Sequence, residues 1–359
     1  MNKTQPWIFS PRFDLGLIIG PAIFITVLVL IFNQQIQSLS EMPLWMWFAL
    51  VVAIDAGHVY STIFRTYLDR DELNKRPALY TLAPLLAWIV GCFLYSIDAL
   101  LFWRVLAYFA VFHFVRQQYG FLMIYARADA KKFKILDQAA IYLATIYPLI
   151  YWHCHARDFH WFIEGDFFSF NAGIFFYTAQ ALYFGVFAAY FIKEIALWHS
   201  SKFFNWPKNL LLFSTAASWF VGIVFFNNDL IFSASNIIAH GVAYSALIWI
   251  YSFNQSQVKN SYVFPWLKNF FTYKKLPFYL VAILLLAFVE EALWDGFIWH
   301  EHQLIFQIPA ISSDAFLVWL VPLLALPQAT HYILDAFIWR LKDDENWKKI
   351  LFFNLSEKS

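Results

Sequence analysis

The sequence predicts an all-α, polytopic transmembrane helical bundle of about ten spans with both termini cytoplasmic. Three observations carry this reading. Of 359 residues, 61% are hydrophobic and only 14% charged, and the mean hydropathy of +0.55 lies outside the range of water-soluble domains. The apolar residues run in stretches close to the ~20 needed to cross a hydrocarbon core of about 30 Å. Those stretches are continuous rather than alternating, so the backbone groups that lipid leaves unsatisfied must be paired within helices and not around a barrel. A net charge of +1 gives no ground for a nucleic-acid partner, and the bilayer is the expected surrounding.

The spans fall at roughly 15–33, 43–64, 78–97, 101–125, 137–152, 172–192, 209–227, 232–253, 277–297 and 315–338. The first exceeds a signal-peptide core, and Asn33-Gln-Gln-Ile-Gln37 rather than a small-residue cleavage site follows it, so it should remain as a span. The charges test the division. Lys3 and Arg12, Arg65, Arg70, Lys75 and Arg76, Arg127, Lys131, Lys132 and Lys134, then Lys193, Lys202 and Lys208 all fall on one side. Lys259, Lys268, Lys274 and Lys275 join them, as do Arg340, Lys342, Lys348, Lys349 and Lys358. The opposite loops hold Glu41, Asp98, Asp158, Glu164, Asp166, Asp229, Glu301 and Asp314, with Arg157 the one basic residue well inside. This is the positive-inside asymmetry, and one span more or fewer scrambles it. Trp45, Trp47, Trp152, Trp198, Trp299 and Trp339 stand at span ends, where interfacial anchors belong. No linker or soluble insert appears, and 1–359 reads as a single transmembrane domain. Cys92 and Cys154 form no CxxC pair and read as packing residues.

Four spans carry a histidine with polar companions. In the fourth, His113-Phe-Val-Arg116-Gln117-Gln-Tyr-Gly120 sets His113, Arg116, Gln117 and Gly120 on one helical face. A charge at a helix centre costs about 2.5–3.5 kcal/mol on insertion scales, so that face should look into protein. Asp55, His58, Thr62 and Arg65 share a face of the second span. Asn236, His240 and Tyr244 do so in the eighth, and Gln328, His331 and Asp335, after Pro327, in the tenth. These even-numbered spans all run from the outside inward. At a rise of 1.5 Å per residue, His58 and His331 lie in the cytoplasmic half, His113 near the middle and His240 outward of it, so His240 needs a tilt or an offset to join the others.

Neutral imidazole is the commonest metal ligand, and its second nitrogen is normally oriented by a carboxylate or a carbonyl. The expectation is a shared site with His58, His113, His240 and His331 as ligands. Asp55 and Asp335 would orient them or complete the shell, and Arg116 with Gln117 would bind substrate or a developing charge. Imidazole with carboxylate suits iron, zinc or manganese, and redox-active non-haem iron best of these. That points to an oxidoreductase acting on a lipid or other hydrophobic small molecule, with an electron donor as a further partner. Three rival readings remain. The imidazoles can bridge helices as packing residues, for about 0.6 kcal/mol each. They can serve a proton- or ion-coupled transporter as a relay, or ligate a b-type haem.

Two further histidine groups lie toward the outer face: Trp152-His153-Cys-His155-Ala-Arg157-Asp158-Phe-His160, and Trp299-His300-Glu301-His302. An HxH pair can bind metal from a loop or strand, whereas on a helix the two rings point apart; the spacing alone is weak, and a solvated interfacial rim is the favoured reading of both groups. Glu291 and Asp295, four apart at the end of the ninth span, suit a proton path or gate. Arg65, Arg70, Arg340 and Lys342 should meet anionic headgroups, Arg65 and Arg340 also continuing histidine-bearing faces.

The combination of His113-xx-Arg-Gln-Gln-Tyr-Gly120, Asn236-xxx-His240-Gly and His331-Tyr-xx-Asp335-xxx-Trp-Arg340 resembles, over most of the chain, a group of uncharacterised bacterial multi-pass membrane proteins. The resemblance implies a bacterial inner membrane and supplies no activity. In its logic the histidine set is similar to that of integral-membrane non-haem iron enzymes. The chain lacks the HxxHH-type boxes of desaturases and hydroxylases. It stands nearer to the bacterial carotene-cleaving dioxygenases, which gather single histidines from several helices around one iron.

Overall fold

Each of the ten apolar stretches forms a helix in the computed structural model, which describes residues 4–39, 41–129, 134–170, 173–258, 261–302, 304–306, 313–339 and 350–352. Lys3, Lys131, Lys132, Lys259, Arg340, Lys342, Lys348, Lys349 and Lys358 lie outside the described residues. Among the described residues, eight helices are long and apolar enough to cross a membrane: α1 Pro11–Gln37, α2 Leu44–Phe64, α3 Pro77–Ile97, α4 Ala99–Ala128, α6 Ile174–Ser201, α7 Trp206–Phe225, α8 Asp229–Val258 and α9 Tyr273–Trp299. Helix α10 is a pair, Ala315–Leu324 and Leu326–Ile338, bent by 44°, and counts as a ninth crossing if taken as one span. Helix α5, Lys134–Cys154, falls outside this set, with Asp137 and Gln138 in its first turns and Thr145 near its middle.

Local chemistry starts these helices where the sequence changes character. Ser10 caps α1 by accepting from Phe13 N, ahead of Pro11, whose missing N–H costs nothing in a first turn. Asn205 caps α7 through Lys208 N, and Asn228 caps α8 through Ile231 N. Between spans, the residues that water-soluble helices would bury stand outward: Leu82, Leu85, Leu86, Ile89, Val90 and Phe93 are exposed on α3, as are Leu280, Val281, Leu285 and Val289 on α9. Contiguous apolar stripes on this scale are faces for hydrocarbon.

The chain divides into two compact units, Met1–Met42 with Val111–Ala243, and Pro43–Ala110 with Tyr244–Ser359. In unit 1, α5 packs on α6 and α7, while α7 and the first half of α8 pack on α1. Lys193 and Lys208, counted above among the basic residues of the cytoplasmic side, are buried here. Lys193 Nζ pairs with Asp137 and with Glu194 Oε1 at 2.8 Å, and Lys208 Nζ reaches Asp129 Oδ2 and Glu194 Oε1, each at 2.6 Å. Folding supplies three carboxylates for the two ammonium groups, which makes their burial tolerable.

In unit 2, α9 packs on α2, and both halves of α10 pack on α3. Arg65 follows α2 and is 1% exposed, so it does not meet headgroups as expected. Its Nη1 donates to Glu72 Oε2 at 3.0 Å and lies 3.5 Å from Asp69 Oδ2, while the guanidinium sits 4.4 Å from the ring centroid of Tyr251. Burial pushes the Asp69 carboxyl above its ordinary pKa against the pull of Arg65. Two tryptophans also depart from the anchoring role. Trp47 is buried and stacked on His302 with centroids 4.0 Å apart, and Trp152 is buried against Phe167 at 4.0 Å.

Candidate functional site

Unit 1 brings two of the four intramembrane histidines together. His113 on α4 is 5% exposed and His240 on α8 is 1% exposed, and their Nε2 atoms face each other at 3.2 Å. Phe114 stacks on His240 with centroids 3.6 Å apart, and Gln117 Nε2 donates to His240 O at 3.1 Å. The vertical offset anticipated for His240 does not separate it from His113. His240 sits in a π-helical turn, Ile238–Val242, and the wider turn shifts the register of every residue beyond it. Two imidazole nitrogens at 3.2 Å cannot both present bare lone pairs to one another. Either one carries a proton, or both point at a shared cation. Metal–nitrogen bonds of 2.0–2.1 Å at a tetrahedral angle set two ligand nitrogens about 3.3–3.4 Å apart, close to the separation found.

Arg116 does not join this pair. It is exposed, with Nη1 donating to Tyr142 Oη at 2.5 Å and the guanidinium 4.7 Å from the Tyr119 centroid. A position three residues from His113 sits at the edge of the face, where a long side chain can turn outward to aromatic neighbours.

Unit 2 holds His58 and His331, each 2% exposed, with ring centroids 5.0 Å apart. His58 Nδ1 lies 3.2 Å from Ile54 O and 3.7 Å from Asp55 Oδ1. A carbonyl only accepts, so Nδ1 carries the proton and the lone pair is assigned to Nε2. Asp55 is adjacent, while the backbone carbonyl holds the ring. His331 is oriented less directly. Tyr244 Oη donates to Asp335 Oδ1 at 2.5 Å, Thr62 Oγ1 lies 3.0 Å from Tyr244 Oη, and His331 Nδ1 lies 2.7 Å from Thr62 Oγ1. With Asp335 ionised, its carboxylate can only accept, and that sets the order of protons along the row. Tyr244 spends its hydrogen on Asp335, Thr62 therefore donates to Tyr244, and Thr62 can then only accept from His331 Nδ1–H. His331 Nε2 is left with the lone pair, the arrangement that makes an imidazole a ligand. Asp335, 3.9 Å from His331 Nδ1, acts through two hydroxyls. Thr62 and Tyr244 share faces with His58 and His240 in the sequence, but no spacing rule linked either of them to His331.

Farther along α9, Glu290 and Glu291 are buried, and Glu290 Oε1 accepts from Trp294 Nε1 at 3.3 Å. Asp295 closes the helix end by accepting from Glu301 N and His302 N at 2.9 and 2.8 Å, with His302 Nδ1 at 3.2 Å. His153 Nδ1 contacts Phe168 O at 2.6 Å and His155 Nδ1 contacts Tyr151 O at 2.9 Å, while His160 is exposed and His300 takes a left-handed backbone conformation at φ 55. Among the described residues these outer histidines assemble no group of three metal-ligating atoms.

Comparison with protein-family models, curated proteins and solved structures found no match to the chain. The functional reading rests on geometry and chemistry.

Proposed function

We propose that this protein is a membrane-embedded metalloenzyme in which His58, His113, His240 and His331 hold one metal ion, and that it carries out redox chemistry on a lipid or other hydrophobic substrate. The observation that supports the reading best is the hydrogen-bonded row from Asp335 through Tyr244 and Thr62 to His331 Nδ1. A histidine that only packs has no need of a fixed tautomer, whereas a ligand does. The His113–His240 separation supports it too, being shorter than twice a metal–nitrogen bond of about 2.0–2.1 Å. That is too close for two imidazoles on opposite faces of a haem iron and suits neighbouring ligands of a small ion.

Iron fits a neutral, nitrogen-rich set best, with zinc or manganese as the other candidates, and when bound it would supply a redox couple and Lewis acidity. The chain itself holds the tautomers, closes the rings off from water and places Gln117 beside His240. An electron donor completes the proposal. The charge asymmetry supports ten spans with both termini cytoplasmic; a bacterial inner membrane is what the resemblance implies.

Metal analysis of detergent-purified protein tests this. One equivalent of metal is expected in the wild type and none in His113→Ala or His331→Ala; a metal-free wild type would end the proposal. The buried Glu290 and Glu291 favour a second reading, ion-coupled transport. That reading requires proteoliposome uptake that Glu290→Gln abolishes and that needs no metal.

A further inference from the structure

A cavity of about 290 Å³ lies in unit 2 at the bend of α10. The bend has a local cause. Pro327 offers no N–H to the turn before it, and the two halves of the helix part at Ala325. Leu323 lines the cavity from one half, Leu326 and His331 from the other, with Val59 and Ile63 from α2 and Pro84 from α3. No Asp, Glu, Lys or Arg contributes to the lining. Leu323 is 48% exposed, and α3 beside it presents Leu82, Leu85, Leu86 and Ile89 outward.

We infer that this cavity binds the acyl chain of a membrane lipid, which enters from the bilayer past Leu323 and lies against His331. The chemistry of the walls selects the occupant. Tyr60, Thr62, Thr66, Tyr67 and Thr330 also reach the wall, yet apolar atoms make up most of its surface; ordered water, which needs two to four polar partners around one point, is served only locally, and an empty apolar space forfeits dispersion contacts along the rest of the wall. A charged or strongly polar molecule would lose its hydration with no counter-charge in return. Ligand pockets generally span about 300–1,000 Å³, so this one, at the low end, takes a length of chain and not a bulky whole molecule. The walls belong to helices whose outer faces meet hydrocarbon, so the chain need not leave the membrane to enter. His331 makes the cavity more than a lipid-filled crease, because one wall is a residue assigned to the metal. The inference rests on the metal proposal for its consequence, that a carbon of the chain is presented to the metal, and not for the binding itself.

A palmitate carrying a diazirine is the probe. After photolysis of the full-length protein in detergent, adducts mapped by peptide mass spectrometry are expected to concentrate on residues 59–67 and 323–334. They should saturate with dose and disappear under excess unlabelled palmitate. Leu323→Trp, at the partly exposed rim, and Ile63→Phe, deeper on α2, should each remove these adducts while leaving metal content unchanged. Adducts spread in proportion to the exposed faces of α3, α6 and α9, without competition, overturn the inference, as does labelling that persists in both variants. Labelling of the cavity in a protein that holds no metal leaves the acyl site standing and removes the metal proposal. Stoichiometric metal with non-competable labelling does the reverse.

Discussion

Tyr244 decides more at the candidate site than its place in the sequence suggests. It donates to Asp335, shares a hydrogen bond with Thr62, and lies edge-on to His331 with centroids 4.9 Å apart. Removing its hydroxyl frees Thr62 to turn and His331 to change tautomer, with little loss of volume. Tyr244→Phe should therefore fold normally and bind metal about 10- to 100-fold more weakly, the usual penalty for losing a group that orients a ligand. A competition titration against a chelator measures this, and an unchanged affinity would refute the proton ordering drawn from Asp335. Arg116 makes the opposite point. Helical spacing assigned it to the His113 face, yet a three-residue step leaves enough angular freedom for the guanidinium to choose Tyr142 and Tyr119. Lys193 and Lys208 differ again: their carboxylate partners come from α5, from α6 itself and from Asp129, which only the fold brings together.

Among the elements, α8 and α10 owe their functional shapes to departures from regular helix. The π-helical turn at Ile238–Val242 sets the direction of His240, and the bend before Pro327 sets that of His331 while opening the apolar cavity. Pro327→Ala restores a donor to the helix and removes the clash that favours the bend. The expected result is a straighter α10, weaker metal binding as His331 moves from Thr62, and loss of palmitate labelling at 323–334. Helix content by circular dichroism should not fall. If metal affinity and labelling are both unaffected, packing of α10 on α3 sets the bend instead of the proline. The ten apolar stretches were legible because hydropathy is a local, additive property. The π-helical turn and the angle of the bend were not, since both depend on what each helix packs against.

For the molecule as a whole, a ligand that binds only the folded state stabilises it by mass action, about 2.7 kcal/mol at a hundredfold excess over its dissociation constant. Chelation should then lower the thermal midpoint of the wild type in detergent. If one ion holds all four histidines as proposed, His113→Ala and His331→Ala must each abolish the chelator-induced shift. A shift that survives in one of them would mean separate ions or none shared. The sequence by itself determined that the chain is helical, apolar enough to cross a membrane several times, and marked by four histidines within its spans, because composition and a 3.6-residue period act over neighbouring residues. Tertiary structure alone decided that His58 Nδ1 faces the Ile54 carbonyl and His331 Nδ1 the Thr62 hydroxyl, that Arg116 turns outward, and that Arg65, Lys193 and Lys208 are buried against carboxylates. Hydrogen bonds and ion pairs are contacts at about 3 Å between residues such as Thr62, Tyr244 and His331, far apart along the chain, and no local pattern encodes which partners folding will bring within that reach.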